Sequence, residues 1–583
     1  MKKRLLSFVM LLPVTMSISA QDLNLPGLTP PTKVKVTDVG KMMTSIEEEI
    51  VTDSQTGRQD TIYNTVKEVV WRSENPDFEN AKPLRRAVET GTVKGRIHEK
   101  FKEQTVYTFK FTYESVNSAG ETVTLSGMAA CPNPNDTKTV SNMVIGTHIT
   151  ITSNKESPSQ TTALTAGDTG VLFTLSGPTS LNLTTGWKAG SNVLKFVVDQ
   201  LKEAWDKITN PYEFIKKKVE QIKDWAKGVD PCNDLVVMPD YEGYGDTKND
   251  AHPYLYQELT ARQVLDGAWA ARYAYEHDPA LEKYRLKFRK DWRTVVCGYS
   301  QGGAVAMATH RFIEQNHLDN ELRFTGSVCG DGPYDPMSTL MYYVKCDQEN
   351  KSMAMPVVLP LIVKGMIDSN PYMRTHKASD YFNPKFLETG IMDWIGSKEK
   401  STGDIENAFK NLYKNGKGDD KNYYHDILEE NGSAKMRNIM NAQCLVYFKD
   451  IYNRYQNQYK TAEGIPLPTK RGVMEDLHLA LASNDVTQGW TPTHHIMMYH
   501  SEADTTVPYD NAERAVAKLG KWVVLFSAKY NQDHLKAGED FFAGTADGNI
   551  PLALQGDIRV AVAINKLIKI SSTGQKAGDI ESW

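Results

Sequence analysis

One serine in this 583-residue chain is set in a pattern that could make it a nucleophile. Residues 294–299 form a short apolar run typical of a strand, Ser300 follows it between Gly298 and Gly302, and the small apolar residues after the second glycine are typical of a helix. A sharp strand-to-helix turn exposes a serine hydroxyl, and it needs glycines because a Cβ would obstruct the backbone there. With both flanking elements present, the sequence predicts Ser300 as a nucleophile, the alternative being an ordinary turn serine.

An activated serine needs a base and an acid, and candidates for both follow it in the chain. Asp504 lies in a polar loop just after the apolar run 496–500, and His534 lies in the loop after the next apolar run, 522–528. From such strand ends an imidazole can take the serine proton while a carboxylate fixes its tautomer. Three alternatives stay open: Asp504 could cap a helix or an Asx turn, Glu502 is the rival acid, and His534 could be a surface histidine.

Acyl transfer also requires N–H donors for the oxyanion that forms on the substrate. The residue after the nucleophile supplies one donor, which here is Gln301. The second comes from the end of an early strand, and the apolar run 143–147 is followed by His148 and Ile149. We therefore predict the backbone N–H groups of Gln301 and Ile149 as the oxyanion hole, a plain strand end being the alternative for Ile149.

Seven short motifs follow one another in a fixed order along residues 105–570. In chain order they lie at 126–132, 148–159, 240–245, 252–255, 298–302, 481–484 and 504–508. Together they resemble the secretory-lipase-like branch of the α/β-hydrolase superfamily, and the motifs at 298–303 and 504–508 also fit its prolyl-oligopeptidase-like branch. The resemblance implies an exported serine carboxylester hydrolase that uses Ser300, Asp504 and His534 as its triad. Ile149 departs from the family, which often has glycine at that position, and the stretch before Asp240 is unusually long.

The fold class expected from this resemblance is α/β, with a mostly parallel central sheet flanked by helices. A large helical cap insertion and an amino-terminal β-rich extension complete it. The expected units are a signal peptide at 1–20, an extension at 21–104, the first core part at 105–333 with a helical insertion at about 160–230, a cap at 334–488, and the second core part at 489–583. The detour at 334–488 is far longer than a connection between a strand and a helix needs, and its tyrosines and methionines suit an apolar pocket or plain packing.

The amino terminus has the features of a secretory signal peptide. Basic residues at 2–4 precede an apolar run at 5–12, and small residues at 17–20 precede Gln21. The apolar run is too short to anchor the chain across a bilayer. We predict export to the periplasm or beyond and no integral membrane anchor. The formal net charge of −5 and a composition that is 40% hydrophobic suggest a globular enzyme with no nucleic-acid partner.

The six cysteines are scattered and show no zinc-ligand spacing. His494 and His495 are adjacent, so a strand would turn them to opposite faces, and we interpret them as a strand entrance rather than a metal pair. Cys131 and Cys232 are the pair expected to form a disulfide after export. Neither a metal nor another cofactor is predicted.

The sequence thus predicts hydrolysis of small carboxylic esters through an acyl-enzyme on Ser300. A serine peptidase of the prolyl-oligopeptidase type is the alternative enzyme, although the residues before 105 are too few for a β-propeller gate. A binding protein on a hydrolase scaffold is the alternative of another class. The residues that bind the substrate cannot be placed from the sequence.

Overall fold

The structure is a computed structural model that describes residues 33–52, 57, 59–81, 88–91, 104–160 and 233–528. The predicted signal peptide, nearly all of the insertion at about 160–230, Cys232 and His534 lie outside the described residues. The boundaries of the five expected units therefore stay predictions.

Thirteen strands occur in the described residues. In chain order they are β1 Val34–Thr52, β2 Gln59–Trp71, β3 Val88–Gly91, β4 Gln104–Val116, β5 Thr122–Cys131, β6 Thr139–Val140, β7 Met143–Thr147, β8 Leu235–Pro239, β9 Lys287–Phe288, β10 Thr294–Tyr299, β11 Phe324–Gly330, β12 His495–Ser501 and β13 Val523–Ala528. The hairpin of β4 and β5 turns at Gly120, which has a positive φ of 80° that glycine adopts at no steric cost.

Eleven of these strands form one sheet in the order β13-β12-β11-β10-β7-β8-β5-β4-β1-β2-β3. The six strands from β13 to β8 are parallel. The five from β5 to β3 add on by antiparallel pairing. The predicted α/β class is confirmed, and so is the β-rich amino-terminal region. That region does not form a separate layer, because β1 pairs along β4 and extends the central sheet.

Twelve α-helices occur in the described residues. In chain order they are α1 Gln257–His277, α2 Gln301–Gln315, α3 Asp319–Leu322, α4 Pro336–Gln348, α5 Val358–Ser369, α6 Pro384–Leu387, α7 Ile391–Ser397, α8 Thr402–Asn415, α9 Met436–Ile439, α10 Ala442–Tyr455, α11 Val473–Ala482 and α12 Asp510–Leu519. None of them is both long and apolar enough to cross a membrane.

Helices α1, α2 and α12 pack on one face of the parallel strands. Val296 of β10 and Ile496 of β12 contribute to this core with Ala304 and Ala512 from the helices. Val295, the neighbour of Val296, belongs to the core on the other face, because successive side chains of a strand alternate. Apolar residues on both faces explain why these strands are nearly continuous apolar runs in the sequence.

The helices between α4 and α11 enclose an apolar core of their own, in which Phe382, Phe386 and Phe409 are fully buried. A large helical region was expected here from the sequence, and its bounds at 334–488 stay a prediction. A buried cation joins this region to α12: the Arg514 guanidinium lies 3.4 Å from the Asp335 carboxylate and 3.0 Å from that of Asp485. Removing one of these three buried groups would leave an uncompensated charge, so the contact holds α12 in this position against the helical region.

The predicted disulfide between Cys131 and Cys232 is wrong. Cys131 is a free thiol at the end of β5. Its side chain is completely buried in the apolar core beneath the antiparallel strands. A cysteine there packs as a small hydrophobic residue.

Candidate active site

Ser300 occupies a sharp turn between β10 and α2, as the sequence predicts. Its φ of 56° and ψ of −125° lie outside the regions that non-glycine residues usually adopt, and such strain clusters at functional sites. The Ser300 N–H donates to the Gly330 carbonyl at the end of β11, with an N···O distance of 2.9 Å. The turn is therefore fixed by the neighbouring strand, and the side chain begins α2 at the carboxyl edge of the parallel sheet.

Both glycines of the motif are required by close backbone approach. A Cβ on Gly298 would lie 2.5 Å from the Gly302 carbonyl oxygen, and one on Gly302 would lie 2.8 Å from the His148 carbonyl oxygen. The Thr147 hydroxyl contacts the carbonyl oxygens of Cys297 and Gly302 at 3.0 and 2.7 Å. Thr147 thus fastens the end of β7 to the turn. Sequence analysis missed this residue, because a threonine at a strand end carries no chemical signal.

Gln301 is the first residue of α2, and its side chain is held by a histidine. Gln301 Nε2 lies 3.2 Å from His252 Nε2, while His252 Nδ1 lies 2.8 Å from the Glu242 carbonyl oxygen. His252 Nδ1 therefore carries the proton and donates it, and Nε2 accepts from the amide. Burial lowers the pKa of His252 to about 3, so the ring is neutral. His252 belongs to a motif noted in the sequence, but its contact with Gln301 follows only from the fold.

His148 and Ile149 follow β7 directly, at the strand edge where the sequence places the second oxyanion donor. The His148 ring stacks on Tyr241 with centroids 3.7 Å apart, and the Tyr241 hydroxyl donates to the His148 carbonyl at 3.0 Å. Burial lowers the pKa of His148 to about 4. Gly302 packs on the carbonyls of residues 147 and 148, so Gln301 and Ile149 are each adjacent in the chain to a residue of this close contact.

Asp504 lies in the loop after β12 and is buried, with 3% of its surface exposed. Its Oδ1 accepts the backbone N–H groups of Thr506 and Val507 at 2.8 and 2.9 Å, which fixes the plane of the carboxylate. The rival acid, Glu502, is exposed and accepts the Ser527 hydroxyl at 2.8 Å. Of the two acids, only Asp504 has the rigid, water-shielded setting that a histidine-orienting carboxylate needs.

A second buried acid, Asp331, lies at the end of the strand between those that precede Ser300 and Asp504. It follows β11, and its Oδ1 accepts the Ser501 N–H at 2.8 Å and lies 3.7 Å from His500 Nε2. One ligand-type atom each from Asp331, His500 and Asp504 lies within 4.8 Å of the others. Sequence analysis missed Asp331, although its place at the end of a buried strand was a usable signal.

The charges of these two acids act on Tyr299, the residue before Ser300. Burial raises the pKa of Tyr299 well above its ordinary value, and the carboxylates of Asp331 and Asp504 raise it further. Ser300, Asp331 and Asp504 therefore share the carboxyl edge of the adjacent strands β10, β11 and β12. The next strand in the sheet is β13, and His534, which follows it in the sequence, lies outside the described residues.

The motif residues Ser126 and Asp240 form a buried support beside this edge. The Ser126 hydroxyl donates to Asp240 Oδ2 at 2.6 Å, and Asp240 Oδ1 accepts the Ser159 N–H at 2.9 Å. The Asp246 N–H donates to the same serine hydroxyl at 2.9 Å. These contacts hold the segment after β7 against the loop after β8. The motifs at 126–132, 148–159 and 240–245 therefore share a structural role.

Comparisons with known proteins gave structural likenesses only. No protein-family model and no curated protein sequence matches the chain. A mutant of the rice cell wall degrading esterase LipA from Xanthomonas oryzae aligns over 82% of this chain and 92% of its own, with 19% identity and a TM-score of 0.47. Lipase A from Candida antarctica aligns over 79% of this chain and 86% of its own, with 13% identity and a TM-score of 0.42.

At such identities and TM-scores the fold assignment rests on the chain's own geometry. Six parallel strands are arranged so that the serine turn follows β10, and the loop with the buried acid follows β12, two strands along the sheet. Helix α2 begins at that serine and packs on the face of the same strands. This chain has the α/β-hydrolase fold.

Proposed function

We propose that this protein is an exported serine hydrolase that cleaves carboxylic esters through an acyl-enzyme. The observation that supports the proposal most is the strained Ser300 at the start of α2, fixed by backbone contacts to β7 and β11. Such strain persists only where the surrounding structure imposes it, and it presents the hydroxyl at the sheet edge. The two esterase and lipase likenesses named above agree with this class of reaction.

The proposed reaction begins with attack of Ser300 Oγ on the ester carbonyl carbon. His534 takes the serine proton, Asp504 orients the imidazole, and the N–H groups of Gln301 and Ile149 donate to the oxyanion. The intermediate collapses when the leaving alcohol takes the proton from His534, which leaves the acyl group on Ser300. Water then attacks the acyl carbon while His534 takes one of its protons. When the bond between the acyl carbon and Ser300 Oγ breaks, His534 returns that proton to Oγ, and the carboxylic acid leaves. The cycle uses no cofactor.

The test of this proposal is hydrolysis of p-nitrophenyl esters from acetate to palmitate beside a panel of aminoacyl-p-nitroanilides. Ester turnover that falls by about 10⁴-fold or more in Ser300→Ala is the expected result. Turnover of anilides alone would instead indicate a peptidase of the prolyl-oligopeptidase type. If the folded protein turned over neither the esters nor the anilides, a binding protein on a hydrolase scaffold would be indicated.

The assignment of the acid has its own matched control. Asp504→Asn keeps the shape of the side chain but removes the charge that orients His534, so kcat should fall by about 10⁴-fold. Glu502→Gln makes the same change two residues away on an exposed side chain and should leave kcat within about twofold of wild type. A larger loss in Glu502→Gln than in Asp504→Asn would overturn the assignment.

Export is proposed from the amino-terminal pattern of the sequence. Cleavage after Ala20 would leave a mature chain that begins at Gln21. Edman sequencing of the protein recovered from the periplasm or the medium tests this proposal, and retention of residues 1–20 in the cytoplasm would refute it.

A further inference from the structure

Two histidines and a glutamate meet at the amino ends of β11 and β12, away from Ser300. His310 and Glu314 are four residues apart on α2 and so share one side of that helix. His494 immediately precedes β12. Glu314 Oε1 lies 3.1 Å from His310 Nε2 and 2.8 Å from His494 Nδ1. One ligand-type atom from each residue lies within 4.8 Å of the others, a spacing that suits three ligands of one ion.

Glu314 Oε1 is held in place by several donors from the segment that enters β12. Besides the two imidazoles, this oxygen lies 3.0 Å from the Thr493 N, 2.9 Å from the Thr493 Oγ1 and 2.8 Å from the His494 N. The Thr493 N–H is shared between both carboxylate oxygens, with Oε2 also at 3.0 Å. These donors from the segment before β12 fix the carboxylate in place, with Oε1 directed at the two imidazoles.

The surroundings of His310 orient its Nε2 as a ligand atom. Its Nδ1 lies 2.9 Å from Ser327 Oγ, and the Cys329 thiol also donates to that hydroxyl oxygen. With Ser327 Oγ as the acceptor, Nδ1 carries the proton and Nε2 presents its lone pair to Glu314 and His494. A hydrogen bond from the second ring nitrogen is the usual way in which proteins fix a metal-binding histidine.

Aromatic side chains form the walls of this cluster. The ring of Phe324 lies 4.7 Å from that of His310 and 5.4 Å from that of His494, measured between centroids. The Trp490 ring lies 5.2 Å from that of His310. An apolar shell limits the access of water and strengthens the attraction between a cation and its ligands.

We propose that His310, Glu314 and His494 bind a divalent transition ion of the zinc class. Two imidazole nitrogens and one carboxylate oxygen are ligands that Zn²⁺ takes readily, whereas Ca²⁺ and Mg²⁺ require mostly oxygen. A water molecule can complete the tetrahedron on the side of His494, whose side chain is 23% exposed. The adjacent pair His494 and His495 is thus not itself the metal pair, and the other nitrogen ligand comes from a helix 184 positions earlier in the numbering.

The proposed ion has a structural role rather than a hydrolytic one. Glu314 lies 14 residues along α2 from Ser300, which corresponds to about 20 Å at the rise of an α-helix. The ion would join the end of α2 to the segment that enters β12. These two elements carry Ser300 and lead to Asp504, so the ion would stabilise their relative position.

The test is a Zn²⁺ titration of the untagged mature chain against a chromophoric zinc chelator, with melting temperatures recorded in parallel. Wild type should bind one Zn²⁺ per chain and melt at a higher temperature with Zn²⁺ than with a chelator, while Ca²⁺ and Mg²⁺ leave the melting temperature unchanged. His494→Ala removes a partly exposed ligand and should weaken Zn²⁺ binding by at least about tenfold. Glu314→Gln, which keeps the side-chain shape, should weaken it as well.

The control is His317→Asn, which removes an exposed histidine just past α2 and substitutes a residue that tolerates its positive φ of 57°. This variant should bind Zn²⁺ like wild type. The absence of saturable one-to-one binding in wild type would overturn the proposal. Equal affinity in His494→Ala, or an equal effect of Ca²⁺, would overturn it too. None of these readouts depends on ester hydrolysis, so the outcome is independent of the proposed activity.

Discussion

A single methyl group at Gly302 should separate Gln301 from Ile149, the two residues proposed as oxyanion donors. In Gly302→Ala the new Cβ would lie closer than 3.0 Å to the Thr147 carbonyl oxygen and 2.8 Å from that of His148, and both are backbone atoms. No rotamer change can relieve such contacts. Residues 147–149 must therefore move away from the start of α2, and Ile149 moves away from Gln301.

The size of the effect follows from the distances. Ordinary van der Waals contact of a Cβ begins at 3.4 Å, so the His148 oxygen alone must retreat by about 0.6 Å and the Thr147 oxygen by more. Overpacking of this kind costs about 1–3 kcal/mol of unfolding free energy. A misplacement near 1 Å at a catalytic group can cost about 100-fold in rate, and we expect a loss of that order in kcat/KM.

The assay compares Gly302→Ala with Gly403→Ala, in which the nearest atom to the new Cβ is Ser401 Oγ at 3.9 Å. Gly403 lies in α8, so alanine there has room and should raise the unfolding free energy by about 0.5–1 kcal/mol. Both variants are measured by p-nitrophenyl ester kinetics and urea unfolding. If Gly302→Ala kept kcat/KM within about threefold of wild type, the close contact of α2 with β7 would be refuted, and so would its part in the oxyanion hole.

Three further changes test what holds the fold together. Arg514→Met strips the buried carboxylates Asp335 and Asp485 of their cation, so it should lower the unfolding free energy by about 3–5 kcal/mol in urea; an unchanged urea midpoint would contradict that contact. Burial raises the pKa of Asp234 from 3.8 to about 7, so its ionisation removes stability from wild type as pH rises through this range, and Asp234→Asn should exceed wild type by on the order of 2–4 kcal/mol above pH 7 and match it below about pH 4. If the two proteins differed in unfolding free energy by the same amount at both pH values, ionisation of Asp234 would be refuted as the cause. Thr147→Val removes a hydroxyl that contacts two carbonyl oxygens, so it should cost about 1–2 kcal/mol, and circular dichroism melting that shows no loss would speak against this fastening.

The sharp turn at Ser300 was predictable because its determinants are local. A strand, two glycines, a serine and a helix occupy adjacent positions, and the backbone permits few other conformations for that order. The parallel strands were predictable for a similar reason, since residues buried on both faces leave continuous apolar runs. Asp504 and Gln301 were then placed by their positions relative to strand ends.

Other features depend on contacts between distant segments, and no local pattern encodes them. The amino-terminal strands could have formed a separate layer, and only the pairing of β1 along β4 makes them part of the central sheet. Asp331 is held at the sheet edge by the N–H of Ser501, which is 170 residues away in the sequence. Cys131 was expected to be bonded, and its burial in the core leaves it a free thiol.

The sequence by itself determined the class of fold and the turn that holds Ser300, and it predicted the chemistry that Ser300, Asp504 and His534 would perform. Only the tertiary structure decided which distant groups meet, as His494 does with His310 and Glu314. The physical reason is that backbone conformation is set by neighbouring residues, whereas the contacts of a side chain are set by the packing of elements far apart in the chain.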